Sequence, residues 1–206
     1  MARGDTVVAL TPKVEKQTRW QGINIIPYKI SRGTSKDVHP WLVDLEAKII
    51  RAEACYDVAV KMKAQGFSPD VILAHHGWGE AMFLKDVWPG ARLGLYCEFY
   101  HFANPEQTIF DPEFSKDSLD KAAFRLRVRN LYNYLHFNIA GTGISPTHFQ
   151  ADTFPEPFQS NITITHDGIK TEIVAKNAET SLTPSEHVTL PPADEIGTFI
   201  NRNLAR

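Results

Sequence analysis

Short apolar runs alternate along the chain with segments of helical periodicity, and this alternation restricts the fold more than any other feature. Thr6–Leu10 and Ile23–Ile26 are β-branched runs closed by Thr11-Pro12 and by Pro27. Val71–Ala74 is wholly apolar, and Leu93–Cys97, the small-residue stretch Asn138–Ile144 and Asn161–Thr165 follow it. Each has the length and the bounding residues of a strand. Between them, Trp41–Gln65 spaces Leu42, Leu45, Ile49, Ala52, Tyr56 and Val60 at steps of three and four. That spacing predicts a helix, with Asp37 or His39 near its cap and Gly66 as its stop. Ala81–Leu84 predicts a helical turn, and Ser118–Phe137 a second long helix carrying Leu119, Ala122, Phe124, Leu126, Leu131 and Leu135. Ser145-Pro146-Thr147 has the cap-then-proline order that opens a short helix. Strands that alternate with helices imply an α/β domain whose sheet is parallel and joined by crossover helices.

A chain of 206 residues is enough for one such core and too short for a second complete domain. Lysine and arginine total 22 against 24 acidic residues, a net charge of −2, so no basic field exists to follow nucleic-acid phosphates. Nucleic acid is therefore not an expected partner. Cys55 and Cys97 are too few for a disulfide scaffold and match no ligand spacing, which predicts reduced, buried thiols. Met1–Asp5 has no apolar signal core, and no stretch approaches the ~20 apolar residues of a membrane helix, so the expected location is the cytoplasm. From Lys176 the chain is polar and broken by Pro184, Pro191 and Pro192. The expected division is a domain over 1–175 and a linker or arm over 176–206.

In a parallel sheet the ligand crevice lies beyond the carboxyl ends of the strands. That rule selects His75, His76, Glu80, Glu98, His101, His166 and Asp167, each just past an apolar run. A histidine or carboxylate there serves as a general base toward a substrate hydroxyl, or as a hydrogen-bonding partner of a polyol. Plainer roles stand beside these: Glu98 as a cap, His101 as a loop histidine. Trp78, flanked by Gly77 and Gly79, is the candidate for stacking on a sugar, whereas Trp88 and Tyr96 are expected in the core. The His-Glu-x-x-His order of a zinc helix is missing and two glycines interrupt the segment, so no metal is expected. Arg125, Arg127 and Arg129 alternate, which on a helix does not place them on one side. Gly141-Thr-Gly143 lacks the remaining spacing of a dinucleotide fingerprint.

The blocks Pro69–Glu80, Phe83–Pro89, Arg92–Tyr100 and Phe110–Phe114 resemble the amino-terminal domain of a bacterial subgroup of glycosyltransferase family 4. Arg125–Asn130, Gly143–Thr147, Phe154-Pro155 and Ile164–Ile169 extend the resemblance over nearly the whole chain. The resemblance implies half of a GT-B fold: a Rossmann-like domain that binds the acceptor and faces a second domain that binds the nucleotide-sugar. It also implies retaining transfer of a hexose to a glycan or lipid-linked acceptor, with no metal or other cofactor, in the cytoplasm or at the periphery of the inner membrane. Glu98 and His101 are then the expected catalytic-cleft residues, with no base assigned between them. His75, His76, Trp78 and Glu80 are expected on the acceptor side, and His166-Asp167 in a turn near the cleft, with Gly168 at positive φ.

Two departures from the family pattern bear on activity. A first strand, its glycine loop and most of a first helix are expected to be missing ahead of Val7-Val-Ala-Leu10, and the donor domain would begin near Asn201–Leu204. Many relatives also carry a histidine at the end of the strand equivalent to Leu93–Cys97, where this chain has Glu98. The isolated chain is thus expected to be inactive, and a free sheet edge and an uncovered interdomain face to favour self-association. The alternative class is a non-catalytic carbohydrate-binding or interaction module.

Overall fold

The computed structural model describes residues 4–102, 119–172, 181–185 and 188–190. It divides into two compact units, Met1–His166 and Asp167–Arg206. In the first, strands β1 (Val8–Thr11), β2 (Thr18–Trp20) and β3 (Ile23–Pro27) form one sheet in the order β1-β3-β2. β1 runs parallel to β3 and β2 antiparallel to it. Strands β4 (Val71–His75), β5 (Arg92–Tyr96), β6 (Thr142–Ser145) and β7 (Ile162–Ile164) form a second, wholly parallel sheet in sequential order. The helices are α1 (Val43–Ala64), α2 (Leu84–Val87), α3 (Leu119–Arg129), α4 (Leu131–Phe137) and α5 (His148–Ala151). A parallel sheet with flanking helices is the Rossmann-like α/β arrangement from which each half of a GT-B fold is built.

The strands foreseen in the sequence are all present, and β2 is an addition. Gln21 and Gly22 both have positive φ, 47° and 83°, which makes a two-residue turn of the type that closes tight hairpins. Gln-Gly is a weaker turn signal than Asn-Gly, and Thr18–Trp20 is exposed throughout, so no apolar alternation marks this strand. β5 sits inside its sheet, and Leu93, Gly94 and Leu95 are all buried there, the near-continuous apolar character of a strand covered on both faces. Beside it Gly143 of β6 is held close. A Cβ there would lie 2.9 Å from Cys97 Sγ and 3.0 Å from Ile162 Cγ1.

Helix α1 buries a different face from the one its large residues suggest. Ile49, Tyr56 and Val60 are about 40% exposed, at 40%, 38% and 41%, while Lys48, Ala52, Cys55, Ala59 and Met62 face inward. Both stripes satisfy the helical spacing, but the small side chains of Ala52, Cys55 and Ala59 allow the close helix–sheet approach that the bulkier stripe would block. The helix stops at Gly66, φ 87°, as its sequence predicts. Its N-cap is Leu42, which has no side-chain cap bond and donates its N–H to the His39 carbonyl. The second long helix is two helices, α3 and α4, meeting at Asn130. α5 is capped by Thr147 rather than Ser145. Thr147 Oγ1 accepts the Gln150 N–H at 3.2 Å and donates to Gln150 Oε1 at 2.7 Å, whereas Ser145 ends β6 and donates to the Cys97 carbonyl at 2.8 Å.

One core joins these elements: Leu93, Leu95, Cys97, Phe154 and Phe158 pack with Tyr28, Cys55, Ala59 and Trp88, and Val8, Leu10 and Ile26 pack against them. Both cysteines are free and buried, and burial pushes each thiol up to about 12. In the second unit β8 (Leu182–Ser185) pairs antiparallel with β9 (Val188–Leu190), so part of the polar segment after Lys176 forms a hairpin. The Met1–Arg3 start, the Phe110–Phe114 block and Asn201–Leu204 lie outside the described residues. Among the described residues no helix is long and apolar enough to cross a membrane.

Candidate functional site

Past the carboxyl ends of β4 and β5 the first unit opens into a cavity of about 350 Å³, within the ~300–1,000 Å³ range of small-ligand clefts. The ladder continues one residue beyond each strand and fixes the floor. His76 donates its N–H to the Tyr96 carbonyl at 3.1 Å, and Cys97 donates to the Ile144 carbonyl at 2.7 Å. The loop after β4 then turns under α1 at Gly79, φ 97°, where a Cβ would lie 2.6 Å from the Lys48 carbonyl oxygen. Only glycine permits that approach, and it holds the loop and the polar face of α1 on opposite walls of one cavity.

The three histidines of the cavity have different environments. His75 Nδ1 accepts the Gly77 N–H at 3.0 Å, so its proton lies on Nε2, 2.9 Å from Glu98 Oε2. Its ring is stacked on the indole of Trp78, centroids 4.5 Å apart and planes 13° from parallel, and that indole is 56% exposed. His76 is buried. Its Nδ1 donates to Asn133 Oδ1 at 2.9 Å and its Nε2 accepts the Phe99 N–H at 3.4 Å. Burial pushes its pKa down to about 3, against the opposing effect of the Asn133 hydrogen bond. His101 is held by its backbone, which donates to Asn130 Oδ1 at 3.4 Å and accepts from Asn130 Nδ2 at 2.6 Å. Burial, and then the charge of Arg129, lower its pKa to about 4, so its imidazole is neutral in the cavity at pH 7.

Five of the residues selected by the strand-end rule and its tryptophan therefore converge: His75, His76, Trp78, Glu98 and His101 all line the cavity. Glu80 does not. Its carboxylate accepts from the buried Tyr28 hydroxyl at 2.6 Å, which ties the loop after β4 to the chain just past β3. His166 follows β7 at the end of the first unit and Asp167 begins the second; neither lines the cavity. Gly168 has the expected positive φ, 81°. Trp78 is a surface platform, whereas Trp88 is buried with its indole N–H donating to the Phe67 carbonyl. Among the described residues no group of three His, Cys, Asp or Glu side chains is arranged to hold a metal ion.

The opposite wall was not foreseen. Asp44, Lys48 and Arg51 fall at i, i+4 and i+7 on α1 and face the cavity, joined by Arg129 and Tyr132. Lys48 is buried, pairs with Asp44 and lies 4.4 Å over the Tyr132 ring; burial lowers its pKa while Asp44 raises it. Arg129 Nε is 3.8 Å from the same Asp44 carboxylate. Behind the cavity, buried Asn130 and Asn133, one turn apart and bonded to each other at 3.3 Å, hold the His101 backbone and the His76 ring and were likewise unforeseen. A polar helix face is ordinarily solvated, so only the pairing of this face with a strand-end loop could have revealed it.

No curated protein matches the chain significantly. The family profile described as the glycosyl transferase family 4 group matches residues 3–174. That span holds β1 to β7, both cavity walls and the glycine-bounded loop between them, and the chain belongs to the glycosyl transferase family 4 group.

Proposed function

We propose that this domain is the acceptor side of a retaining hexosyltransferase, holding a glycan or lipid-linked acceptor in the cavity at the ends of β4 and β5. The observation that carries the proposal is the exposed Trp78 ring, stacked on His75 at the mouth of a cavity rich in hydrogen-bonding groups. An indole face packs against the C–H face of a sugar ring, while the carboxylate, imidazole and guanidinium groups that line the cavity satisfy its hydroxyls. His101 presents a neutral imidazole, and Glu98 accepts the His75 Nε2–H hydrogen bond through one carboxylate oxygen and keeps the other for the substrate, so both can receive a hydrogen bond from the attacking hydroxyl. The nucleotide-sugar is held by a separate donor-binding domain, and the acceptor-side domain by itself binds acceptor without turnover. Holding both reactants together supplies the proximity effect, worth ~7–11 kcal/mol of barrier, that either half lacks. The setting is the cytoplasm, at the membrane face where a lipid-linked acceptor is presented.

Calorimetric titration tests this reading. Neutral oligosaccharides and alkyl glycosides should release heat on binding, and UDP-, GDP- and ADP-hexoses should not; the reverse pattern would overturn it. Transfer that appears only when a donor-binding domain is added supports an enzyme half over a non-catalytic carbohydrate-binding module.

A further inference from the structure

The α1 wall of the cavity is more cationic than its own carboxylates can balance. Lys48, Arg51 and Arg129 line it together with Asp44, and the remaining carboxylate, Glu98, is engaged across the cavity by His75. Asp44 is shared between Lys48 and Arg129. Arg51 is half-buried and has neither an ion pair nor a hydrogen bond among the described residues. Neighbouring His76 and His101 stay uncharged near neutral pH, the second partly because Arg129 repels its proton. The Lys48 ammonium, over the Tyr132 ring, and the Arg129 guanidinium share the one Asp44 carboxylate, and Arg51 adds a positive charge that no ion pair balances among the described residues. Placed beside the sugar platform of Trp78, that arrangement suits a bound oxyanion. Guanidinium forks match the oxygens of a phosphate or carboxylate, and the partial burial strengthens the attraction over that on an open surface.

We propose that Arg51 and Arg129, backed by the Lys48–Asp44 pair, bind an oxyanion carried by the acceptor, so that the acceptor is an anionic saccharide. This rests on the acceptor-side reading given above and specifies the substrate class of that site. The oxyanion is either the phosphate of a glycosyl phosphate, as in a lipid-linked sugar, or the carboxylate of a uronic acid.

The test is titration of the full chain with four probes: methyl glucoside, glucose 1-phosphate, glucuronic acid and UDP-glucose. Glucose 1-phosphate, glucuronic acid or both should bind about tenfold or more tightly than methyl glucoside, and 0.5 M salt should shrink the ratio. The ratio should fall below about threefold in Arg51→Ala and in Arg129→Gln, replacements of a partly buried and an exposed side chain that keep Lys48 and the fold. Which of the two anionic probes leads identifies the source. Equal binding of neutral and anionic sugars would overturn the oxyanion site while leaving the acceptor reading intact. Binding of UDP-glucose with the same Arg51 dependence would assign the charge to the donor and overturn the proposal. No binding by any sugar would overturn both.

Discussion

Trp78 and Gly79 are adjacent, and they divide the work of the site between them. The indole is 56% exposed and rests on His75, so its removal deletes the proposed sugar platform while burying nothing new. Trp78→Ala is expected to weaken acceptor binding by about tenfold, with stability changed by no more than ~0.5 kcal/mol, as for other surface substitutions. Titration and thermal melting check the two halves of that statement. Gly79 has the opposite profile. At φ 97°, and with a Cβ position 2.6 Å from the Lys48 carbonyl, it tolerates no side chain. Gly79→Ala should cost about 1–3 kcal/mol in denaturant unfolding and widen the cavity by pushing the loop from α1. The cavity residues legible in the sequence were those that follow the adjacent strands β4 and β5, since a strand end places its next side chains at the crevice, whereas His166 and Asp167, past β7, stand outside the cavity. Glu80 was misread because its partner, Tyr28, is 52 residues away, and no local pattern signals such a contact.

Helix α1 shows why an element can be right in place and wrong in rotation. Its limits followed from periodicity and from Gly66, yet the inward face is set by which side chains are small enough to meet the sheet, and Cys55 and Ala59 have that size. The same rotation turns Asp44, Lys48 and Arg51 toward the cavity, so the missed face of the helix and the missed wall of the site are one error. Asn130 divides the expected long helix by spending its side chain on the His101 backbone. At α5 the Thr147–Gln150 capping pair has a measurable weight. Thr147→Ala should lower stability by ~1 kcal/mol and speed amide exchange in the first turn, with little effect on ligand binding.

Across the whole molecule, two buried histidines, His76 and His136, and the partly buried His101 make stability depend on acidity. Burial holds His76 at about 3 and His101 and His136 at about 4, against 6.5 for an ordinary imidazole. Between those limits the unfolded chain binds more protons than the folded one, so stability is full above pH ~6.5 and declines as pH falls toward ~4. Urea unfolding at stepped pH should show that decline, and His136→Phe should reduce its slope. The two sheets also leave open edges. Among the described residues β1 pairs only with β3 and β4 only with β5, and β4 exposes Val71 and Leu73 at 53% and 65%. Concentration-dependent self-association is expected in sedimentation velocity and should diminish in Leu73→Lys, which charges the edge. The α/β class was legible because alternating strands and helices have few ways to pack; the split into two sheets was not, because edge pairing depends on contacts remote in sequence. The central claim, a saccharide acceptor seated between Trp78 and the α1 wall, is tested most directly by chemical-shift mapping of the isotope-labelled chain with octyl glucoside and glucose 1-phosphate. Shifts confined to the Trp78 indole, the 75–79 loop, His101 and the facing wall of Asp44, Lys48, Arg51 and Arg129 are the predicted result, and an unperturbed Trp78 signal at saturating sugar would contradict it.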